Sequence, residues 1–326
     1  MRRVSLLLAV FAVAGIAADD TYTWNLPKGF PKPHVPADNP MTPAKVELGR
    51  YLFYDTRMSV NGKTSCATCH KQELAFTDGR PVAVGTTGES HPRGAMSLIN
   101  IAYSATLTWN NPDMKVLEEQ AFVPMMGEHP VELGLREGDG FLPMLSADPK
   151  YRVLFERAFP NDPSRITMMN VTKAIASFER SIISAGSPYD RYHYYREDDA
   201  ISDAAKRGEI LFFDSRHSCF RCHGGFNFSD AGLHNTGVNR DTGMFKAPTL
   251  RNIAITAPYM HDGSMANLEA VLDHYAAGGR VHDNPSKDPL IHGFEMSQQD
   301  RQDLISFLQS LTGEAILLDP QFANPW

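Results

Sequence analysis

The chain has 326 residues, 42% hydrophobic and 21% charged, with a formal net charge of −7. That length suits about two domains of ordinary size. An acidic balance without any basic run argues against nucleic acid as a partner, and leaves room for a cationic redox protein.

Met1-Arg2-Arg3, an apolar run from Val4 to Ala14 and small residues to Ala18 read as a secretory signal over 1–18, cleaved near Ala17 or Ala18. The run is too short to span a bilayer comfortably, and no later segment is apolar enough to do so. The expectation is a soluble periplasmic protein without a membrane span. Pro43 to Phe53 is predicted helical, with Thr42 as N-cap and Pro43 in the first turn. Gly79 to Gly94 reads as a loop. Thr167 to Ser184 carries a helical stripe of Met168, Val171, Ile175, Phe178 and Ile182. The acidic run Glu197-Asp198-Asp199 marks a linker. It separates an N-terminal domain, 19–198, from a C-terminal one, 199–326. A second helix pair follows the same logic: Ser202 to Phe212, capped by Ser202, and Ser297 to Leu311, capped by Ser297. Between them lie a loop from Gly224 to Pro248 and a helix from Asn267 to Tyr275, closed by Ala276-Ala277-Gly278-Gly279.

All four cysteines fall in two pentads, Cys66-Ala67-Thr68-Cys69-His70 and Cys219-Phe220-Arg221-Cys222-His223. C-x-x-C-H is the c-type haem attachment pattern: two thiols for the haem vinyl groups and a histidine for the iron. Zinc sites also use C-x-x-C pairs, and disulfides or redox dithiols are a further reading. A histidine directly after the second cysteine suits an axial haem nitrogen better than a tetrahedral zinc. The surroundings repeat as well. Gly49 to Arg57 and Gly208 to Arg216 both read G-x-x-L-F-aromatic-D-[S/T]-R, and Phe76-Thr77-Asp78-Gly79 matches Phe228-Ser229-Asp230-Ala231-Gly232. Such self-similarity indicates a repeated unit. The expected fold is mainly α, with two cytochrome-c-like haem domains and long loops.

The two pentads, with Leu117-Glu118-Glu119-Gln120, Phe245-Lys246-Ala247-Pro248-Thr249-Leu250-Arg251-Asn252 and Thr256-Ala257-Pro258-Tyr259-Met260-His261-Asp262-Gly263, resemble the bacterial dihaem cytochrome c peroxidase superfamily. The similarity runs from about Asn39 to Leu311. Within it the chain looks most like the MauG-type branch, and there most like dihaem oxidases found with methanobactin genes. The resemblance implies two covalently bound c-type haems, on Cys66, Cys69 and His70 and on Cys219, Cys222 and His223. It places the distal ligand of the second haem seventeen residues after the proline of T-x-P, which from Pro258 is Tyr275. Ordinary peroxidases carry methionine there, a soft neutral ligand that raises the potential; tyrosinate is a hard anion that favours oxidised iron. Met244, Met260, Met265, Met296, His261 and His274 are rival ligands. Gln120, Pro124 and Glu132 match the peroxide pocket, with Glu132 moving a proton between the peroxide oxygens, Gln120 orienting the oxidant and Pro124 hindering a further ligand. The spacing to Glu132 is two residues longer than in better-known members, so Glu128 is a rival acid–base group. His91 reads as structural or supporting. Trp109 matches the residue between the haems. Asn100, Thr256 and Pro258 match a calcium site, the first through its amide oxygen and the others through backbone carbonyls. The branch's surface tryptophan is replaced here by His217, so the exit for oxidising equivalents differs. Tyr189, Tyr192, Tyr194 and Tyr195 form a cluster able to carry holes, or to pack and hydrogen-bond near the linker.

The resemblance therefore implies a periplasmic oxidoreductase that reacts with hydrogen peroxide at the His70 haem and uses a bis-ferryl-level state to oxidise a residue, plausibly tryptophan, of a periplasmic partner protein. An ordinary peroxidase, drawing electrons from a small cytochrome or cupredoxin, is the alternative. A non-catalytic dihaem electron carrier is a reading of another class, against which Gln120, Pro124 and Glu132 argue.

Overall fold

The computed structural model describes residues 21–240, 242–281 and 283–326. The leader expected over 1–18 lies outside them. The described chain is mainly helical. In order come α1 (Pro43–Tyr54), the single turn α2 (Cys66–Cys69), α3 (Leu117–Met126), α4 (Phe141–Ala147), α5 (Pro149–Ala158), α6 (Met168–Ser181), α7 (Pro188–Tyr195), α8 (Asp203–Phe213), α9 (Leu268–Ala276), α10 (Gln298–Ser310) and α11 (Ala315–Leu318). None of the described helices is long and apolar enough to cross a membrane.

The helix starts follow the capping residues. Side-chain oxygens of Thr42, Ser202, Asn267 and Ser297 accept from the backbone N–H of Lys45, Ala205, Ala270 and Asp300, each covering an orphan donor. One end differs from expectation: α6 stops at Ser181, three residues before Ser184. There the Asn100 side chain competes with the helix, its Oδ1 accepting from Ser184 N–H at 2.8 Å. The stretch from Gly224 to Pro248 is not wholly loop. Leu233–His234 (β1) and Phe245–Lys246 (β2) pair antiparallel.

The two haem motifs sit in the same local scaffold. α1 crosses α6, and α8 crosses α10. Each crossing is closed by a glycine. A Cβ on Gly49 would lie 2.0 Å from the carbonyl oxygen of Ala174, and one on Gly208 would lie 2.0 Å from that of Asp303. Next to these contacts stand Phe178 and Phe307, both fully buried. The repeat extends beyond the matching motifs. Asn100 and Asn252 each open a short 3-10 turn at positive φ, 56° and 60°. Ser97 Oγ donates to the Ala75 carbonyl at 2.7 Å, and Thr249 Oγ1 donates to that of Asn227 at 2.6 Å.

A buried polar seam joins the repeats. Asn100 Nδ2 donates to Asn227 Oδ1 at 3.0 Å, and Ser184 Oγ donates to Asn252 Oδ1 at 2.6 Å. Arg251, the bulkiest fully buried side chain, pairs with Asp190 of α7 at 2.9 and 3.0 Å and donates to the Phe226 carbonyl. Fully paired charges of this kind are costly to half-remove.

Two tests follow from this packing. Gly208→Ala should destabilise the haem-loaded protein by about 1–3 kcal/mol, the range for forced overpacking, seen as a lowered Tm; an unchanged Tm would show that α8 and α10 can move apart freely. Glu179, buried in α6, has one carboxylate oxygen without a partner, and burial pushes its pKa up to about 8 from 4.5. A raised carboxyl pKa means the unfolded chain releases its proton first. Stability from this group therefore falls as pH rises from 4.5 to about 8 and then levels. Glu179→Gln should flatten that slope in denaturant titrations across the same window.

Candidate haem centres

In the C-terminal half, Cys219, Cys222 and His223 open onto a cavity of about 1350 Å³, part of it open to solvent. Its walls are largely apolar, including Phe212, Leu250, Val271, Leu272, Phe294 and Leu304. A flat apolar macrocycle fits such walls. His223 Nδ1 lies 3.2 Å from the Phe228 carbonyl, a contact that makes Nδ1 the donor and leaves Nε2 bare for a metal. Phe228 reaches this position with φ of 50°, in the left-handed region.

Tyr275 lines the same cavity. Burial, with the nearby cysteine sulfurs, holds its phenol well above the ordinary range. A phenolate there needs a positive centre to compensate it, which ferric iron provides. Among the rival ligands, Met260 and His261 also line the cavity, with His261 stacked on Phe245 at 3.6 Å. The others lie elsewhere. Met244 is exposed, Met265 is packed in the core, and His274 Nε2 is bonded to the Thr236 carbonyl at 2.9 Å, with burial drawing its pKa down to about 4. Met296 packs against the C-terminal core cluster.

His217, which stands where the branch has its surface tryptophan, has a wholly buried side chain. Nδ1 sits 2.8 Å from Asp214 Oδ1, while Nε2 has no partner and the ring lines the cavity. His234 was not foreseen from the sequence. It lies between Asp230 at 2.9 Å and Asp288 at 2.7 Å, beside Cys222. Asp288 is far away in sequence, so no local spacing signals that pairing.

In the N-terminal half, His70 Nδ1 lies 2.9 Å from the Phe76 carbonyl, and Phe76 again has positive φ, 60°. The two imidazoles are thus held alike. Gln120 and Pro124 are one turn apart on α3 and share a face. Pro124 lacks the N–H that would bond the Gln120 carbonyl, and its own carbonyl accepts from Leu133 N–H at 2.9 Å. That bond ties the Glu132 segment to α3. Glu132 is close enough to His70, Cys66 and Cys69 to act on each electrostatically. Its carboxylate stands 3.2 Å from His91 Nε2. Glu128, the rival, is on the surface, with its side chain 68% exposed and Arg136 at 3.8 Å. The backbone bond from Leu133 to Pro124 places the Glu132 segment beside the Gln120–Pro124 helix, while the Glu128 side chain lies on the surface.

Trp109 lies between the two repeats. Its indole N–H donates to the Gly94 carbonyl at 2.8 Å, and its own carbonyl accepts from Lys246 N–H at 2.8 Å. It lines the C-terminal cavity and a second, smaller one. Asn100, Thr256 and Pro258 share that second cavity with Asp78. Asn100 Oδ1 already accepts from Ser184 N–H, so one lone-pair direction remains. Lys246, buried and lining both cavities, is a further missed residue; burial pulls its pKa down to about 8.

Comparison with known proteins agrees with this geometry. Residues 43–199 and 202–322 match the family described as di-haem cytochrome c peroxidase. The chain is 34% identical to the methylamine utilization protein MauG of Methylophilus methylotrophus, over 97% of this chain and 96% of that protein. It is 37% identical to MauG of Methylorubrum extorquens, over 86% of this chain and 82% of that protein. Among solved structures, a MauG-like protein associated with microbial copper homeostasis superposes with a TM-score of 0.90 at 38% identity, covering 94% of this chain and all of that one. The chain belongs to the di-haem cytochrome c peroxidase family, and is a haem-dependent peroxidase or oxidase that carries two c-type haems.

Proposed function

We propose that this is a periplasmic MauG-type enzyme, which uses hydrogen peroxide to oxidise a residue, plausibly tryptophan, of a partner protein. We assign residues 19–198 to a peroxidatic haem domain and 199–326 to an electron-transfer haem domain. The observation that carries the reading is Tyr275, which shares the apolar cavity of His223. The haems, when bound, would supply the redox chemistry with peroxide.

The chain's own residues then have distinct tasks. Cys66 and Cys69, and Cys219 and Cys222, tether the two macrocycles, while His70 and His223 present Nε2 to each iron. Gln120 donates from its amide to the bound oxidant. Glu132 takes the proton from the inner peroxide oxygen and returns it to the outer one, which leaves as water. His91 Nε2 stands 3.2 Å from that carboxylate. Pro124, on the same face as Gln120, crowds the position where a protein ligand would compete. Trp109 bridges the halves and shortens the electron path between them. Tyr275 is a hard anionic ligand that stabilises the oxidised C-terminal centre. Asn100, Thr256 and Pro258 are assigned to one calcium ion, with Asp78 in reach of the same cavity; its oxygen-only donors suit that cation.

A second reading, an ordinary peroxidase fed by a small cytochrome or cupredoxin, is favoured by Met260, which lines the same cavity. Resonance Raman separates the two. The ferric protein should show tyrosinate bands that vanish in Tyr275→Phe; no such bands, with an unchanged spectrum in the variant, would favour methionine. Glu132→Gln should slow the stopped-flow reaction with peroxide by about 10²–10⁴-fold, the usual worth of a positioned acid–base group, while Glu128→Gln leaves it unchanged. Removing calcium with a chelator should lower Tm and slow electron exchange between the centres, and added calcium should restore both.

A further inference from the structure

Tyr189, in the first turn of α7, is a buried phenol wedged against the C-terminal centre. Its ring packs edge-on to Phe228 at 5.3 Å and to Phe307 at 5.5 Å. Phe228 is the residue whose carbonyl holds His223. The hydroxyl points the other way. It lies 3.2 Å from His193 Nδ1, one helical turn on, and the two rings stack at 5.2 Å with an interplanar angle of 17°. His193 Nδ1 is 3.9 Å from Glu209 Oε1 of α8, and the imidazole is 45% exposed. Tyr194 packs edge-on to His193 at 4.8 Å, and Tyr195 is exposed.

A buried phenol is hard to oxidise by electron loss alone, because the resulting cation is not solvated. Loss of the proton in the same event avoids that charge. Tyr189 has two acceptors in reach of its hydroxyl, His193 Nδ1 at 3.2 Å and the Glu209 carboxylate, and the two stand 3.9 Å apart, so that the carboxylate also stabilises an imidazolium formed beside it. None of the surrounding tyrosines has this arrangement at such closeness to the His223 loop. We infer that Tyr189 is a redox relay between the C-terminal haem centre and the surface. It gives one electron to that centre after peroxide has oxidised it, its O–H bond breaks, and the proton passes to the His193–Glu209 pair. The neutral tyrosyl radical then takes an electron, and recovers its proton, from a residue of a protein docked over the exposed His193 edge. This relay supplies the exit that the buried His217 does not. It rests on the peroxide-driven reading above.

The test is rapid-freeze EPR of the haem-loaded full chain, mixed with one equivalent of peroxide and no partner, with ordinary or ring-deuterated tyrosine incorporated. The wild type should give a tyrosyl signal that narrows on deuteration. Tyr189→Phe should lose it while the ferric haem spectrum before mixing stays unchanged. His193→Leu combined with Glu209→Gln keeps the phenol but removes both of its acceptors, and should cut the tyrosyl yield. A full signal in Tyr189→Phe, or an undiminished yield in the double variant, overturns the relay. Peroxide consumed with no tyrosyl signal in the wild type overturns the relay and leaves the peroxide reading standing. No reaction of the ferric protein with peroxide overturns both.

Discussion

A hydrogen bond from Nδ1 of each motif histidine to a phenylalanine carbonyl sets the geometry of both centres. It fixes the tautomer, aims Nε2 toward the iron position and raises its basicity. The bond is available because Phe76 and Phe228 adopt left-handed backbone conformations, which turn their carbonyls back toward the histidines. That conformation costs energy for a bulky residue. Hydrogen bonds from Ser97 and Thr249 to the preceding carbonyls hold each loop in place. The surrounding helix pairs, closed at Gly49 and Gly208, supply a rigid floor.

On this shared scaffold the two halves diverge in the groups near the motif histidines. The N-terminal half offers a carboxylate, Glu132, 3.2 Å from His91 and on a segment bonded to α3 at Pro124. The C-terminal half offers a buried phenol, Tyr275, in a pocket where an uncompensated anion would be unstable. In the function proposed above, the first moves protons and the second stabilises positive charge on a metal. Trp109 and the seam of Asn100, Ser184, Asn227 and Asn252 join the two halves.

Much of this was legible in the sequence, for identifiable reasons. The pentads are covalent chemistry written in consecutive residues. The capping residues act within one turn, so Thr42, Ser202, Asn267 and Ser297 marked their helix starts. The repeat was read around Gly49 and Gly208, and passed over at Ser97-Leu98-Ile99-Asn100-Ile101-Ala102 and Thr249-Leu250-Arg251-Asn252-Ile253-Ala254, where a short match in the sequence carries a shared backbone turn. What stayed hidden depends on tertiary contact. The early end of α6 is imposed by Asn100, distant in sequence. The partners of His91 and His234 include Glu132 and Asp288, carboxylates more than forty residues away, and a ribbon inside an expected loop is held by pairing between residues more than ten apart.

The central claim is that the two centres accept both oxidising equivalents of peroxide directly from the ferric state. The most direct measurement is to add one equivalent of hydrogen peroxide to the fully ferric protein and record EPR and near-infrared spectra. The account predicts loss of both ferric EPR signals together, with a new near-infrared band and no prior reduction. Reaction only after one centre has been reduced would contradict it.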